Sequence, residues 1–397
     1  MSKANSATGD KILSEADLEN VLDMSSSIPA CGVNACADQA LNGLRILHRD
    51  LLPGVQGRDL LWERAAELEL RTDGQVSANG SCRIMPIGEA WLGLNLARDE
   101  DWGLLNPWLE CDGDLSDWGR VEEALLGRDA KALVARGRLM GLPVSLLPEI
   151  ALAENTGKSE SLDQTPWFQF TPAAKTTPQS LNTAKPMSEL QVVDLSALWA
   201  GPLCAHLLHQ CGMQVTCVTS TQRPDGAAQG SPKLYEVLHR GHDHVELDFT
   251  SQEDLHWLAD LLRNADVVIE GSRPRALQAL GVDRDTLAPQ GKQLWLSLTA
   301  YGRRAPFADW IGFGDDVALA GGLLIKGEEG RPEFIADAVA DPLTGIFAAL
   351  AVVNLMQHHA SGLLDLSLYS VASHCRKKIH CSGWPVNCEY HRPNLRC

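Results

Sequence analysis

The most regular alternation of apolar and polar positions lies in the second half of the chain. QVVDL at Gln191–Leu195, QVTCV at Gln214–Val218, DVVIE at Asp266–Glu270 and QLWLSL at Gln293–Leu298 are short runs rich in Val, Ile and Leu. Such runs, bounded by polar text, predict buried strands. Between them, Pro202–Gln210 and SQEDLHWLADLLRNA carry apolar residues at three- and four-residue steps, the stripe of a helix lying on a core. Ser251 opens the second of these with Asp254 three residues on, the spacing of a capped N-terminus. Strand alternating with helix implies an α/β fold: a mostly parallel sheet with helices on both faces.

The first half reads differently. RIMPIGEAWLGLNLARDEDW (Arg83–Trp102) predicts a strand pair feeding a helix, and WGRVEEALLGRDAKALVARGRLMGLP predicts two amphipathic helices. Gly141-Leu142-Pro143 stops the second. From about Glu154 to Glu189 the text turns rich in Ser, Thr, Pro and Lys, the composition of an extended linker or one draped over the surface. The expected organisation is a loose leader over residues 1–30 and a smaller α+β domain over 31–153. A linker over 154–189, a larger domain with an open parallel sheet over 190–373 and an atypical tail over 374–397 complete it.

Composition narrows the chemistry. A chain of 397 residues with 45% apolar content can bury two or three cores. Its net charge of −17 argues against a nucleic-acid partner but leaves room for a phosphate-bearing ligand in a local basic pocket. The N-terminal stretch has no apolar h-region, and the longest apolar run, Gly345 to Met356, is too short and interrupted to span a bilayer. The expectation is a cytoplasmic protein with no membrane partner. The 11 cysteines form no Cys-x-x-Cys pair. Cys375, Cys381, Cys388 and Cys397 crowd the basic last segment with His374, His380 and His391, at spacings that match no finger or ribbon, so no metal is expected. No Gly-x-Gly-x-x-Gly follows the first strand and no Walker A loop is present.

One stretch poses a chemical question. ADPLTGIFAAL, Ala340–Leu350, places a carboxylate at the head of a strongly apolar helix. Asp followed by Pro is a common helix start, with Asp at the N-cap and Pro next. From these residues alone, capping is the favoured role for Asp341, and a nucleophilic role is the alternative; the two are compatible.

Several segments between Gln191 and Ala372 resemble, in order, the large domain of the family III CoA-transferases, the CaiB/BaiF group. VVDLSALWAGPLCAHLLHQCGMQV resembles that family's opening strand, Ala-Gly-Pro turn and helix. LHRGHDHVELDF, ADVVIEGSRPRALQALGVD and LSLTAYGRRAPFADWIGFGDDVALAGGL resemble its next three conserved stretches. DPLTGIFAALAVVNLMQHHASGLLDLSLYSVA resembles the Asp-x-x-Thr-Gly helix and following strand. The resemblance implies a Rossmann-like large domain in which Asp341 is the catalytic nucleophile. It also implies that Leu198, Trp199, Ala200, Arg223, His242, Gly271, Ser272 and Arg273 fall at CoA-contacting positions, several with altered chemistry. Arg83–Glu149 resembles the family's small domain, here placed first.

The activity implied by the resemblance is the movement of CoA between an acyl-CoA thioester and a small free carboxylate, through an aspartyl intermediate. CoA and acyl-CoA are then substrates, with no permanently bound cofactor, and a homodimer is implied. The alternative is a weakened homologue, or a partner subunit, that binds acyl-CoA without turnover. Racemase chemistry in the same family needs a His beside the Asp. The matching segment carries Asp315 and Asp316 instead, expected as solvated loop acids.

Overall fold

In the computed structural model, which describes residues 32–49, 51–147, 166–173, 185–287 and 293–381, the chain opens with two helices, α1 (Gly32–Leu47) and α2 (Gly57–Glu67). A hairpin of β1 (Cys82–Ile87) and β2 (Ala90–Asn95) follows, then short helices leading to α3 (Ala130–Met140) and β3 (Val144–Leu147). After β4 (Phe168–Pro172) come β5 (Gln191–Asp194), α4 (Ala200–Gln210), β6 (Gln214–Ser220), β7 (Asp243–Leu247), α5 (Gln252–Asn264) and β8 (Val267–Glu270). The chain continues through α6 (Pro274–Leu280), β9 (Leu294–Thr299), α7 (Gly314–Gly321) and a small hairpin of β10 (Leu324–Lys326) and β11 (Pro332–Phe334). It ends in α8 (Ala340–Gln357), β12 (Gly362–Ser367) and α9 (Leu368–Cys381).

The large sheet has the order β4-β12-β9-β8-β5-β6-β7. Every neighbouring pair is parallel except β4 on β12. Period-two alternation puts successive side chains on opposite faces. Val192, Ile269 and Leu296 enter one core with the apolar residues of α4 and α8, while Val193, Val268 and Trp295 pack with Leu258 and Leu262 of α5 on the other face. Ser251 caps α5, its hydroxyl accepting from the Asp254 N–H at 3.3 Å.

Helix α8 runs through the middle of the larger core and is buried on nearly every side. By length and composition it could cross a membrane, but 83% of it is buried inside the protein, so its apolar character is spent on packing. Gly345 lets it cross α4 closely: a Cβ there would lie 2.7 Å from the Ala200 carbonyl oxygen.

Three boundaries fall elsewhere than the sequence suggests. Residues 32–67, expected within the smaller domain, pack on the larger one: Val33, Leu41, Leu60 and Leu61 share a core with α4 and α8. The Gln357 side chain also donates to the Leu47 carbonyl at 2.8 Å. Their apolar stripes show an amphipathic face without showing what it faces. Within the expected linker, β4 pairs antiparallel with β12, Phe168 opposite Leu366 and Pro172 opposite Gly362, and Trp167 beside it packs on Phe347. The expected boundary at residue 373 falls inside α9, whose Val371, Ala372 and Cys375 belong to the same core. The expected leader, residues 1–30, and residues 382–397 of the tail lie outside the described residues.

The smaller domain is the antiparallel sheet β1-β2-β3. Its helices enclose Trp108, whose indole N–H donates to the Leu133 carbonyl at 2.8 Å. The rest of the sheet docks on the larger domain: Cys82 and Ile84 pack with Leu319, Leu324 and Phe334. Asn95 and Ser145 donate to the side chain and main chain of Asp316, at 3.1 and 3.0 Å.

Candidate active site

The N-termini of α7 and α8 meet at Asp341. Helix α8 begins at Ala340, so Asp341 stands in its first turn; Val339 holds the cap position and no side chain caps it. The expected capping role is therefore corrected. The chain already turns before the helix: Ala338 has φ +44, its N–H donates to Asp315 at 2.9 Å, and its carbonyl accepts from the Asp341 N–H at 2.9 Å. The Asp341 carboxyl instead accepts from the Gly314 N–H at the head of α7, where the helix dipole favours negative charge. Only glycine fits there. A Cβ at 314 would lie 2.6 Å from Asp341 Oδ2 and 2.3 Å from the Ala338 carbonyl oxygen.

Asp341 is half-buried at the centre of an acidic group. Asp315 and Asp316, expected in solvent, are buried in the first turn of α7. Burial, then the neighbouring Asp337, pushes Asp315 well above the usual carboxylate range. Burial lifts Asp316 to about 7, against donors from the Phe313 N–H and Asn95 at 2.9 and 3.1 Å. Burial also raises Asp337, opposed by Arg64, whose Nη1 lies 2.7 Å from both carboxylate oxygens. Asp341 is pushed up to about 7 by burial; Arg64 works against this, and the charges of Asp316 and Asp337 add to it.

All the residues at implied CoA positions except His242 follow the carboxyl ends of β5, β6 and β8, around the sheet's reversal point, whereas His242 precedes β7 at the opposite strand ends. The chain runs from β5 to β6 and β7 on one side, then returns to β8 on the other, and such a switch opens a crevice outside the strand ends. The loops after β5 and β8 touch there: a Cβ on Gly271 would lie 2.8 Å from the Ser196 Cβ. Leu198 is 43% exposed and holds φ +70, a costly backbone state for a branched residue. Asp225 fixes it, accepting from the Leu198 N–H at 3.1 Å.

Trp199 and Ala200 are buried. Trp199 lies under the Arg64 guanidinium, 5.9 Å from ring centroid to Cζ. Arg223 is exposed, and Ser272 and Arg273 are half-buried. His242 does not offer a cation to phosphate. It is buried against His209 and His239, and burial, reinforced by the surrounding imidazoles, pushes it down to about 3.

Beside the reversal point, between the two domains, lies a cleft of about 1090 Å³. Six arginines line it: Arg98 and Arg138 from the smaller domain, and Arg273, Arg275, Arg303 and Arg304 from the larger. Arg98 is paired with Asp101, Arg303 with Glu270 at 2.8 Å, and Arg275 faces Asp309 at 3.5 Å. Arg138 stacks on Trp310, 3.6 Å from the ring centroid. Arg273 and Arg304 have no salt bridge among the described residues. In a chain of net charge −17 this cleft gathers positive charge locally. Asp341 is not among the lining residues; Asp316 lies within Coulombic range of both Asp341 and Arg138 of the cleft.

Sequence reasoning missed Arg64, Asp337, Gly314, Arg98 and Arg304. Gly314 sat in a segment already singled out, whereas Arg64 meets Asp337 across 273 positions of sequence, with no local pattern to announce it.

An open parallel sheet, a carboxyl at a helix head and an arginine-lined cleft at the strand ends define an α/β protein. Residues 187–379 match the family model described as CoA-transferase family III. The chain is 28% identical over 212 residues to the succinate–glutarate CoA-transferase of Agrobacterium fabrum, covering 48% of this chain and 53% of that protein. It is 29% identical over 209 residues to a probable fatty acyl-CoA transferase of Mycobacterium tuberculosis, covering 48% and 52%. Among solved structures, a CAIB/BAIF family protein from Brucella suis aligns with TM-score 0.45 at 25% identity, covering 51% of this chain and 59% of that one. The chain thus spans about half the length of the curated relatives it matches.

Proposed function

We propose that the protein transfers CoA between an acyl-CoA thioester and a free carboxylate, with Asp341 as the nucleophile. The observation that carries this reading is the Asp341 carboxyl itself. It is half-buried, free of any capping bond, held by the Gly314 N–H, and as basic as a group of about 7. A carboxylate of raised basicity is a stronger nucleophile once ionised, because nucleophilicity follows basicity within one class of group.

The exchange then proceeds in four balanced steps. Ionised Asp341 attacks the thioester carbonyl, forming a mixed anhydride and expelling CoA thiolate. The thiolate attacks the aspartyl carbonyl, releasing the first carboxylate and leaving an aspartyl-CoA thioester. The acceptor carboxylate attacks that thioester, giving a second anhydride and thiolate. The thiolate finally takes the new acyl group and restores Asp341. When the thiolate adds to the aspartyl carbonyl, the oxygen that gains charge is the one beside Gly314, so the N–H already in place stabilises it without rearrangement. The arginine cleft suits the phosphates of CoA. Arg273 and Arg304, without salt bridges among the described residues, are the groups to meet them.

The position of Asp341 outside the cleft lining favours a second reading, an acyl-CoA-binding protein without turnover. One experiment separates the two. Protein incubated with a panel of acyl-CoA thioesters is trapped with hydroxylamine or borohydride, and the Asp341 peptide is read by mass spectrometry. Turnover predicts a modified Asp341 peptide that D341N abolishes, and exchange whose rate climbs as pH rises through about 7. Binding of CoA thioesters with an unmodified Asp341 peptide across the panel selects the second reading.

A further inference from the structure

On the face of the large sheet that packs Val268, Trp295 and Leu363 against α5, one row is polar. Glu270 on β8 stands opposite Ser297 on β9, Ser297 opposite Asp365 on β12, and Asp365 opposite Gln169 on β4. Residues paired in register share a face, so the four side chains form one line across four strands. Arg303 closes the first half of that line. Its Nη1 donates to Glu270 Oε2 at 2.8 Å and to the Ser297 hydroxyl at 2.9 Å. The Trp295 indole N–H reaches the same Glu270 oxygen at 2.8 Å.

The second half is open. Asp365 and Gln169 both line the cleft between the domains. Asp365 accepts from the Arg303 N–H, but its Oδ1 is sealed from water without a hydrogen-bond partner. The Gln169 side-chain amide meets no partner among the described residues. Polar groups in this state gain from a ligand that supplies what they lack. A carboxylate accepts, and an amide beside it both donates and accepts. The amino edge of adenine complements that pair: its N6 amino group donates to Asp365, and its N1 accepts from Gln169. Phe307 and Trp310, edge-to-face at 4.9 Å, line the same cleft and offer aromatic surface to a base. Arg273 and Arg304 line it too. An amide of the pantetheine arm would use the polar pair alone, whereas an adenine nucleotide uses the pair, the rings and the arginines together.

We propose that the cleft reads the adenine of CoA: Asp365 and Gln169 pair with the base edge while Arg273 and Arg304 hold the phosphates. The proposal rests on the reading that this cleft receives CoA. It adds which end of the molecule enters and what selects the base.

The test uses the full chain and isothermal titration with three probes: adenosine 3′,5′-bisphosphate, inosine 3′,5′-bisphosphate and pyrophosphate. Inosine presents a carbonyl where adenine has its amino group, and an N–H where adenine has N1. Wild type is expected to bind the adenosine compound about tenfold more tightly, the discrimination of one or two base-edge hydrogen bonds. D365N keeps the shape and exchanges an accepting oxygen for a donating amino group. The preference then falls within about twofold or reverses, while pyrophosphate binds as before. A merely structural role for Asp365 would move all three probes together. Loss or reversal of the preference in D365N, with pyrophosphate unchanged, supports the proposal. It is overturned if the adenosine compound does not bind, if wild type binds both bisphosphates alike, if the preference survives in D365N, or if all three probes weaken together. If D365N does not fold, Q169L decides: a loss of about tenfold for the adenosine compound with pyrophosphate unchanged supports the proposal, and any other pattern overturns it. None of these probes is a thioester and none needs Asp341 to react. A base preference with an unmodified Asp341 peptide therefore keeps this proposal and removes the transferase reading, and a trapped Asp341 without base preference does the reverse.

Discussion

Individual side chains in this protein carry opposing responses to pH. Asp341 and Asp316, raised to about 7, keep their protons in the folded state over the range from 3.8 to 7, where an unfolded carboxyl has lost them. Their contribution to stability is greatest at low pH and is lost as pH rises through that window. His242 works the other way. Burial and its neighbours His209, His239, His206 and His244 push it to about 3 from an ordinary 6.5. The unfolded chain takes this proton first, so the stability tied to the neutral ring is complete above pH 6.5 and drains away as pH falls toward 3. His206, lowered to about 4 chiefly by burial, has the same sign. The slope for one such group reaches about 1.4 kcal/mol per pH unit. His242→Leu is expected to lose less stability than wild type between pH 6 and 4, measured by urea titration at each pH; equal slopes would count against this account.

At the level of helices and strands, spacing in the sequence told most of the story where an element packs on its own neighbours in the chain. The runs at 191–195, 214–218, 266–270 and 293–298 became β5, β6, β8 and β9, and the hairpin at 83–95 and the stop at Gly141 formed as expected. What spacing could not tell was the partner of a face. The stripe of α1 and α2 is compatible with either domain, and β4 sits in Ser- and Pro-rich text whose strand character comes from the β12 edge it joins. Asp315 and Asp316 looked like surface acids because local charge says nothing about a helix end that another domain later covers. Where α4 crosses α8, the margin is narrow: Gly345→Ala drives a methyl into the Ala200 carbonyl at 2.7 Å. Overpacking of this kind costs about 1–3 kcal/mol. Chemical denaturation of G345A reads it as a lowered midpoint with unchanged slope.

For the molecule as a whole, charge is unevenly placed. A strongly acidic chain reserves six arginines for the cleft between its domains, and the two domains meet through Asp316, which accepts from Asn95 and Ser145 of the smaller one. The cleft and the carboxyl group thus adjoin the same junction. Arg273→Gln with Arg304→Gln is expected to weaken acyl-CoA binding about tenfold, the scale of one or two charge-assisted contacts. The salt dependence of binding should flatten at the same time. Isothermal titration at two ionic strengths tests both, and unchanged affinity would place the phosphates elsewhere.

The pairing of β4 with β12 bears on how this protein can be handled. A fragment trimmed to the family-matched residues 187–379 would begin after Phe168–Pro172, leaving the backbone donors and acceptors of Gly362–Ser367 with no neighbour along that side. It would also bare the apolar surface of α8 that Trp167, α1 and α2 now cover. A raw strand margin beside a greasy helix invites self-association into insoluble stacks. Here the recognisable homology unit and the smallest well-behaved piece of polypeptide are different objects.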